Sequence, residues 1–165
     1  MNKKAFTRTR VLGCAGLLVL IGGCAVQRPA APPAQAPAPV KCQPVSQNDP
    51  LVGNWFGVRK QKGVTGELRV LIGLRADGSM TYQEQLKRGS RPAQALNEAG
   101  CWSAKGNVLT LHSLESNGEP VEPDDPIYRN QYSIETRSAD RLVLQHENGA
   151  LVARRMPPDY RLPVN

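Results

Sequence analysis

Aromatic residues are scarce in this chain: two Trp, four Tyr and two Phe, or 5% of 165 residues. Rings supply much of the contact area in deep binding pockets, so an aromatic-lined pocket is not advertised. Histidine is scarcer still. His112 and His146 are the two present, with no third ligand at metal-motif spacing, so satisfied rim or surface histidines are the expectation. G-x-S-x-G, H-E-x-x-H and a Gly-rich phosphate loop are all missing, which removes the common hydrolase, zinc-protease and nucleotide-binding readings. Ser113 beside His112 does not replace a triad, because neighbours on a strand point to opposite faces. Enzymatic activity is therefore the least favoured class.

What is present begins with the N-terminus. Lys3, Lys4, Arg8 and Arg10 precede an apolar run over residues 11–21, followed by Gly22, Gly23 and Cys24. The run is too short and too Gly-punctuated for a permanent membrane span, so it reads as a secretion signal. The small residues before Cys24 resemble the lipobox of bacterial lipoproteins, in which the cysteine is acylated and becomes the new N-terminus. Cys14 also follows a small residue, but almost no apolar run separates it from Arg10, so Cys24 is the expected lipidation site. Ala25 and Val26 follow where an Asp retains such proteins at the inner membrane. The resemblance thus implies an outer-membrane address, with membrane contact through the acyl chains and the domain facing the periplasm.

Processing changes the charge balance. The chain has a formal charge of +7, and four bases but no acid leave with residues 1–23, which reduces it to +3. The remaining bases lie among acids, as in Arg59-Lys60-Gln61-Lys62, and read as a solvated face. No nucleic-acid partner is expected. With Cys14 removed and Cys24 acylated, Cys42 and Cys101 remain. In an oxidising compartment their default is a disulfide, and no C-x-x-C spacing supports a metal or redox pair.

Residues 24–40 form an acylated Cys followed by a Pro/Ala-rich linker. Proline removes backbone donors and fixes φ, so this tract is expected as an extended spacer of about 40 Å. Residues 41–165 form one domain's worth of chain. Leu68, Val70, Ile72 and Leu74 alternate with other residues in period two and end at the turn Ala76-Asp77-Gly78. Met80, Tyr82 and Leu86 return. Two further hairpins turn at residues 105–107 and 138–140, and Asn148-Gly149 turns into a last strand over residues 151–155. An opening strand is expected over residues 51–59, and residues 91–99 could form one or two helical turns. About eight antiparallel strands joined by neighbouring hairpins would expose two edges unless they close. The expected fold is all-β, a small up-and-down antiparallel β-barrel.

Gly53-Asn54-Trp55 at the head of the first strand resembles the G-x-W signature of lipocalins and related calycins. The Arg154-Arg155 pair on the last strand resembles the arginine that packs on that tryptophan. The resemblance implies a lipocalin-like barrel closed by a cation–π contact where first and last strands meet. It departs from secreted lipocalins in being shorter and in lacking their helix before the end. Lipocalins carry small apolar ligands inside, so Trp55, Tyr82, Trp102 and Tyr132 are the candidates for a lining; a smaller barrel is filled by its own side chains, and each of the four is expected first as a core residue. The acidic, Pro- and Gly-containing stretch over residues 115–126 fits no calcium loop and is the best candidate for a partner-contacting surface.

The expectation is a non-catalytic, lipid-anchored outer-membrane binding module for a small apolar ligand or an envelope component, with no cofactor and no metal. The alternative is an envelope accessory protein (an assembly factor, a sensor or an inhibitor of a hydrolase) acting through protein–protein contacts of the barrel surface.

Overall fold

Period-two alternation governs the architecture. The computed structural model describes residues 40–61, 63–89 and 94–162; the signal (1–23), Cys24 and the linker before Val40 lie outside these. Among the described residues nine strands follow in chain order: β1 (Gly53–Arg59), β2 (Glu67–Leu74), β3 (Ser79–Lys87), β4 (Gln94–Lys105), β5 (Val108–Ser116), β6 (Glu119–Pro120), β7 (Arg129–Arg137), β8 (Arg141–His146) and β9 (Gly149–Met156). The helical content among the described residues is one 3-10 turn, Pro126–Tyr128. Each strand pairs antiparallel with its neighbours in the order β4-β3-β2-β1-β9-β8-β7-β5, and β4 pairs with β5 to shut the ring. Eight strands thus form a closed antiparallel barrel. β6 is an extra: it pairs only with the tip of β5, at Glu115↔Pro120 and Ser116↔Glu119.

The inward positions are the apolar phase of each strand. Trp55, Val70, Ile72, Leu74, Met80, Trp102, Leu109, Leu111, Leu142, Leu144 and Leu151 form the buried core. An eight-stranded barrel is just wide enough for such side chains to fill its interior. One end of this barrel is filled and capped. The lead-in, residues 42–52, crosses that end: Val45 N–H donates to the Ala76 carbonyl at 2.8 Å. Leu51 is fully buried and its carbonyl accepts from Trp55 Nε1 at 2.8 Å. Trp102 Nε1 donates to the Arg75 carbonyl, also at 2.8 Å.

The seam between first and last strands carries the densest set of contacts. Trp55 stands opposite Arg155 in the β1–β9 ladder, and the Arg155 guanidinium lies 4.2 Å from the centroid of the Trp55 ring. The same guanidinium donates to Val52 O at 2.5 Å, to Pro50 O at 2.7 Å and to Ala139 O. One side chain therefore joins the lead-in, the β7–β8 turn and β9. Arg154 faces the other way, over the outward ring of Phe56 at 5.9 Å.

Gly78 and Gly100 are among the glycines that close approach requires. Gly78 has φ +82° in the β2–β3 turn, and a Cβ there would strike the backbone of Gln43 in the lead-in. At the bulge between Ala99 and Gly100, a Cβ on Gly100 would strike the His112 carbonyl of β5. Cys42 bonds to Cys101 close by, with Cα atoms 5.2 Å apart, which fastens the lead-in to the outside of β4.

The helical turn considered for residues 91–99 is not formed where the chain is described. Residues 94–99 are strand, laddered to β3 through pairs such as Leu96↔Glu84 and Glu98↔Tyr82. Tertiary pairing overrides a weak local helical preference here, and residues 91–93 lie outside the described residues. The opening strand begins at Gly53 rather than Leu51, because Asp49 holds residues 49–52 in a turn by accepting from Leu51 N at 2.8 Å.

The disulfide spans a sequence separation of 59, so chain-entropy reasoning assigns it about 4 kcal/mol. The double variant Cys42→Ser/Cys101→Ser is expected to lose up to that amount in equilibrium urea unfolding. Reducing the wild-type bond is expected to reproduce the loss.

Candidate functional site

Opposite the capped end the barrel stays open. A cavity of about 340 Å³ occupies this mouth. It lies at the small end of the roughly 300–1,000 Å³ range typical of small-molecule sites. Its walls come from the far ends of the strands: Leu96 and Glu98 of β4, Asn130 and Tyr132 of β7, His146 of β8 and Leu151 of β9. Ile127 and Tyr128 of the 3-10 turn form the lip, where Ile127 is 71% exposed.

The residues at the base of the mouth are polar. Arg59 and Glu84 occupy inward positions of β1 and β3, in phase with Trp55, Met80 and Tyr82. Arg59 Nη2 lies 3.3 Å from Glu84 Oε2, with side-chain exposures of 17% and 21%. Tyr82 O–H donates to the same carboxylate oxygen at 2.8 Å. On the neighbouring strand β4, Glu98 stands opposite Tyr82 in the ladder, and its Oε2 accepts from Oγ of fully buried Ser113 on β5 at 2.8 Å. Arg59 thus has its counter-ion in Glu84, whereas Glu98 has no basic side chain within ion-pair distance among the described residues. Counting Glu84, which pairs with Arg59 from just outside the cavity lining, one guanidinium stands against two carboxylates, a formal charge of −1.

Burial acts on the phenols. Desolvation pushes the Tyr132 hydroxyl up to about 12; Arg59 opposes the shift, while Glu84 and Glu98 add to it. Tyr82 is raised further, by burial first and then by the neighbouring Tyr132 and Glu84. The Tyr132 and His146 rings lie 5.1 Å apart at 41°, and Asn148 N–H donates to His146 Nδ1 over 3.4 Å.

The four candidate lining residues separate into two pairs. Tyr82 and Tyr132 reach the cavity. Trp55 and Trp102 sit at the capped end, with both indole N–H groups bonded to backbone carbonyls, and do not line it. The two histidines do not meet: β7 separates their strands, and His112 points outward, its Nε2 bonded to Pro123 O at 2.9 Å. That bond pins the acidic stretch against the wall, and Asp125 Oδ1 caps the 3-10 turn by accepting from Ile127 N at 3.0 Å. Among the described residues no group of three or more His, Cys, Asp or Glu side chains is placed to hold a metal.

Arg59 corrects the sequence reading. The basic run it shares with Lys60 and Lys62 suggests a solvated face, but its side chain enters the barrel because it has the inward phase of Trp55 and Gly57. Glu84, Glu98 and Ser113 are hidden from sequence reasoning in the same way. The signal that finds them is charge or hydroxyl in apolar phase, on four strands and towards the same end.

No family model, curated protein or solved structure matches this chain. The fold and its open end define a closed eight-stranded β-barrel with one capped end and one polar-based mouth.

The raised phenols set a pH dependence. An unfolded tyrosine ionises near 10, so the unfolded state sheds the Tyr132 proton first. The contribution to stability is complete below about pH 10 and is lost as pH rises towards about 12. Phenolate absorbance should show a late phase in that window, absent from Tyr132→Phe.

Proposed function

We propose that this protein is a lipid-anchored outer-membrane lipoprotein of lipocalin-like build, acting as a non-catalytic binding module that holds a small ligand in the mouth of its barrel. The observation that carries the reading is the one-ended cavity. The capped half is packed with Leu, Trp and Met, while the other half leaves about 340 Å³ among Leu96, Ile127, Leu151 and a polar base. Apolar walls above fixed polar groups suit a small amphipathic molecule better than a wholly apolar one. The lead-in, residues 42–52, joins the barrel at the capped end, opposite the mouth. The lipobox resemblance at Cys24 supports the anchor, and the Trp55–Arg155 contact supports the calycin likeness.

A second reading rests on the outer face. Val58 of β1 and Val152 of β9 are 45% and 46% exposed and border a shallow groove with Phe56 and Arg154. This strip supports the accessory-protein alternative, in which the barrel surface contacts an envelope protein.

Native mass spectrometry of protein extracted gently from envelopes tests the principal reading. A co-purifying small molecule is expected on wild type and lost from Asn130→Trp, which places an indole in the mouth. Bare wild-type protein, or equal occupancy in the variant, contradicts it. In the same extracts, Cys24→Ala is expected to lose the acyl mass and leave the membrane fraction.

A further inference from the structure

The base of the mouth holds a carboxylate whose charge the rest of the cavity leaves uncompensated. Glu98 is half-buried on an inward position of β4, and one of its oxygens is taken by Ser113 Oγ at 2.8 Å. Ser113 is neutral and spreads the charge without cancelling it. The guanidinium that lines the same cavity, Arg59, is engaged elsewhere: Nη2 contacts Glu84 Oε2 at 3.3 Å and Nη1 reaches Gln61 Oε1 at 3.5 Å. Glu84 in turn accepts from Tyr82 as well as from Arg59. A charge held partly out of water is costly unless something of opposite sign or a strong donor meets it.

The wall beside Glu98 is aromatic. Tyr132 and His146 lie 5.1 Å apart and both line the cavity, as does Tyr128 at the lip. The negative face of the tyrosine rings, Tyr132 and Tyr128, attracts a cation and gives nothing to an anion. Carboxylate and rings therefore favour the same sign of ligand charge. A fatty-acid head would meet Glu98 as a like charge, in a base whose formal sum is already −1.

We propose that the mouth receives a small amphipathic amine, its protonated nitrogen on the Glu98 carboxylate and against the Tyr132 ring, its apolar part between Leu96 and Leu151. This rests on the reading of the mouth as a ligand site and adds the chemistry of what enters. The small volume limits the ligand to one ring or a short chain beside the amine.

Three probes that share one apolar part and differ in the head test it: 2-phenylethylamine, 2-phenylethanol and phenylacetate. They are titrated calorimetrically into the detergent-solubilised, disulfide-bonded full-length protein. The amine is expected to bind about tenfold more tightly than the alcohol, since a charge-assisted contact is roughly twice as strong as a neutral one. Phenylacetate is expected to bind most weakly. Glu98→Gln retains an oxygen for Ser113 but carries no charge, and it should bring the amine down to the affinity of the alcohol.

Equal affinities for amine and alcohol, or an amine preference that survives Glu98→Gln, overturn the proposal. If both then bind and Asn130→Trp abolishes both, the mouth stands as a ligand site and only the amine chemistry fails. If none of the three binds wild type, the amine proposal is overturned, and the co-purification experiment decides the mouth separately. Should Glu98→Gln lose the β-sheet circular dichroism of wild type, the salt dependence of wild type replaces it. The amine-over-alcohol ratio must shrink as ionic strength rises, and a ratio indifferent to salt overturns the proposal.

Discussion

A single guanidinium holds the first and last strands of this barrel against the chain that leads into them. Arg155 covers the Trp55 ring at 4.2 Å and donates to carbonyls of Pro50, Val52 and Ala139, which belong to the lead-in and to the β7–β8 turn. An open meander of this length would present two unpaired edges, and pairing β1 with β9 removes both. The planar fork of arginine suits this position. Its fixed donors reach three carbonyls while its face rests on an indole, an arrangement a lysine cannot reproduce. The disulfide between Cys42 and Cys101 works at the same end, by tying the lead-in to β4.

This concentration of contacts gives the barrel two unlike halves. At the Arg155 end, Leu51, Trp55, Leu74, Leu109 and Leu142 are fully buried and leave no room for a ligand. At the other end the inward positions carry Arg59, Glu84 and Glu98 where Leu or Val would have completed the packing. Polar residues at core-phase positions sacrifice hydrophobic stabilisation, and the filled half compensates for them. The scarcity of aromatics fits this division. Both tryptophans serve the cap, Tyr82 and Tyr132 serve the mouth, and few rings are left for any other surface.

Much of the fold can be read from the chain. The alternation of Leu68, Val70, Ile72 and Leu74 and the turn at Asp77-Gly78 specify β2 and β3, and the match of Trp55 to the arginine pair anticipates closure at β1 and β9. The pairing of Cys42 with Cys101 follows from counting thiols in an oxidising setting. The mouth is far less legible. Arg59 stands in a run of basic residues and looks solvated until its phase relative to Trp55 is followed along the strand. Glu98 sits in a segment of Ala, Asn and Gly with little strand propensity, so its inward orientation depends on the β3 ladder and on the bulge at Gly100. That Trp102 caps the barrel while Tyr132 lines its mouth is set by which end of the strand each occupies. Composition does not carry that information, and barrel shear decides it.

Arg155 is the clasp of the seam, and native-state amide hydrogen exchange in Arg155→Lys tests this most directly. The β1–β9 ladder is predicted to lose protection by about a hundredfold, the equivalent of roughly two hydrogen bonds to a charged donor, while the β2–β3 ladder keeps wild-type protection. Unchanged protection along β1 and β9 in that variant would contradict the clasp and, with it, the division of the barrel into a sealed end and an open one.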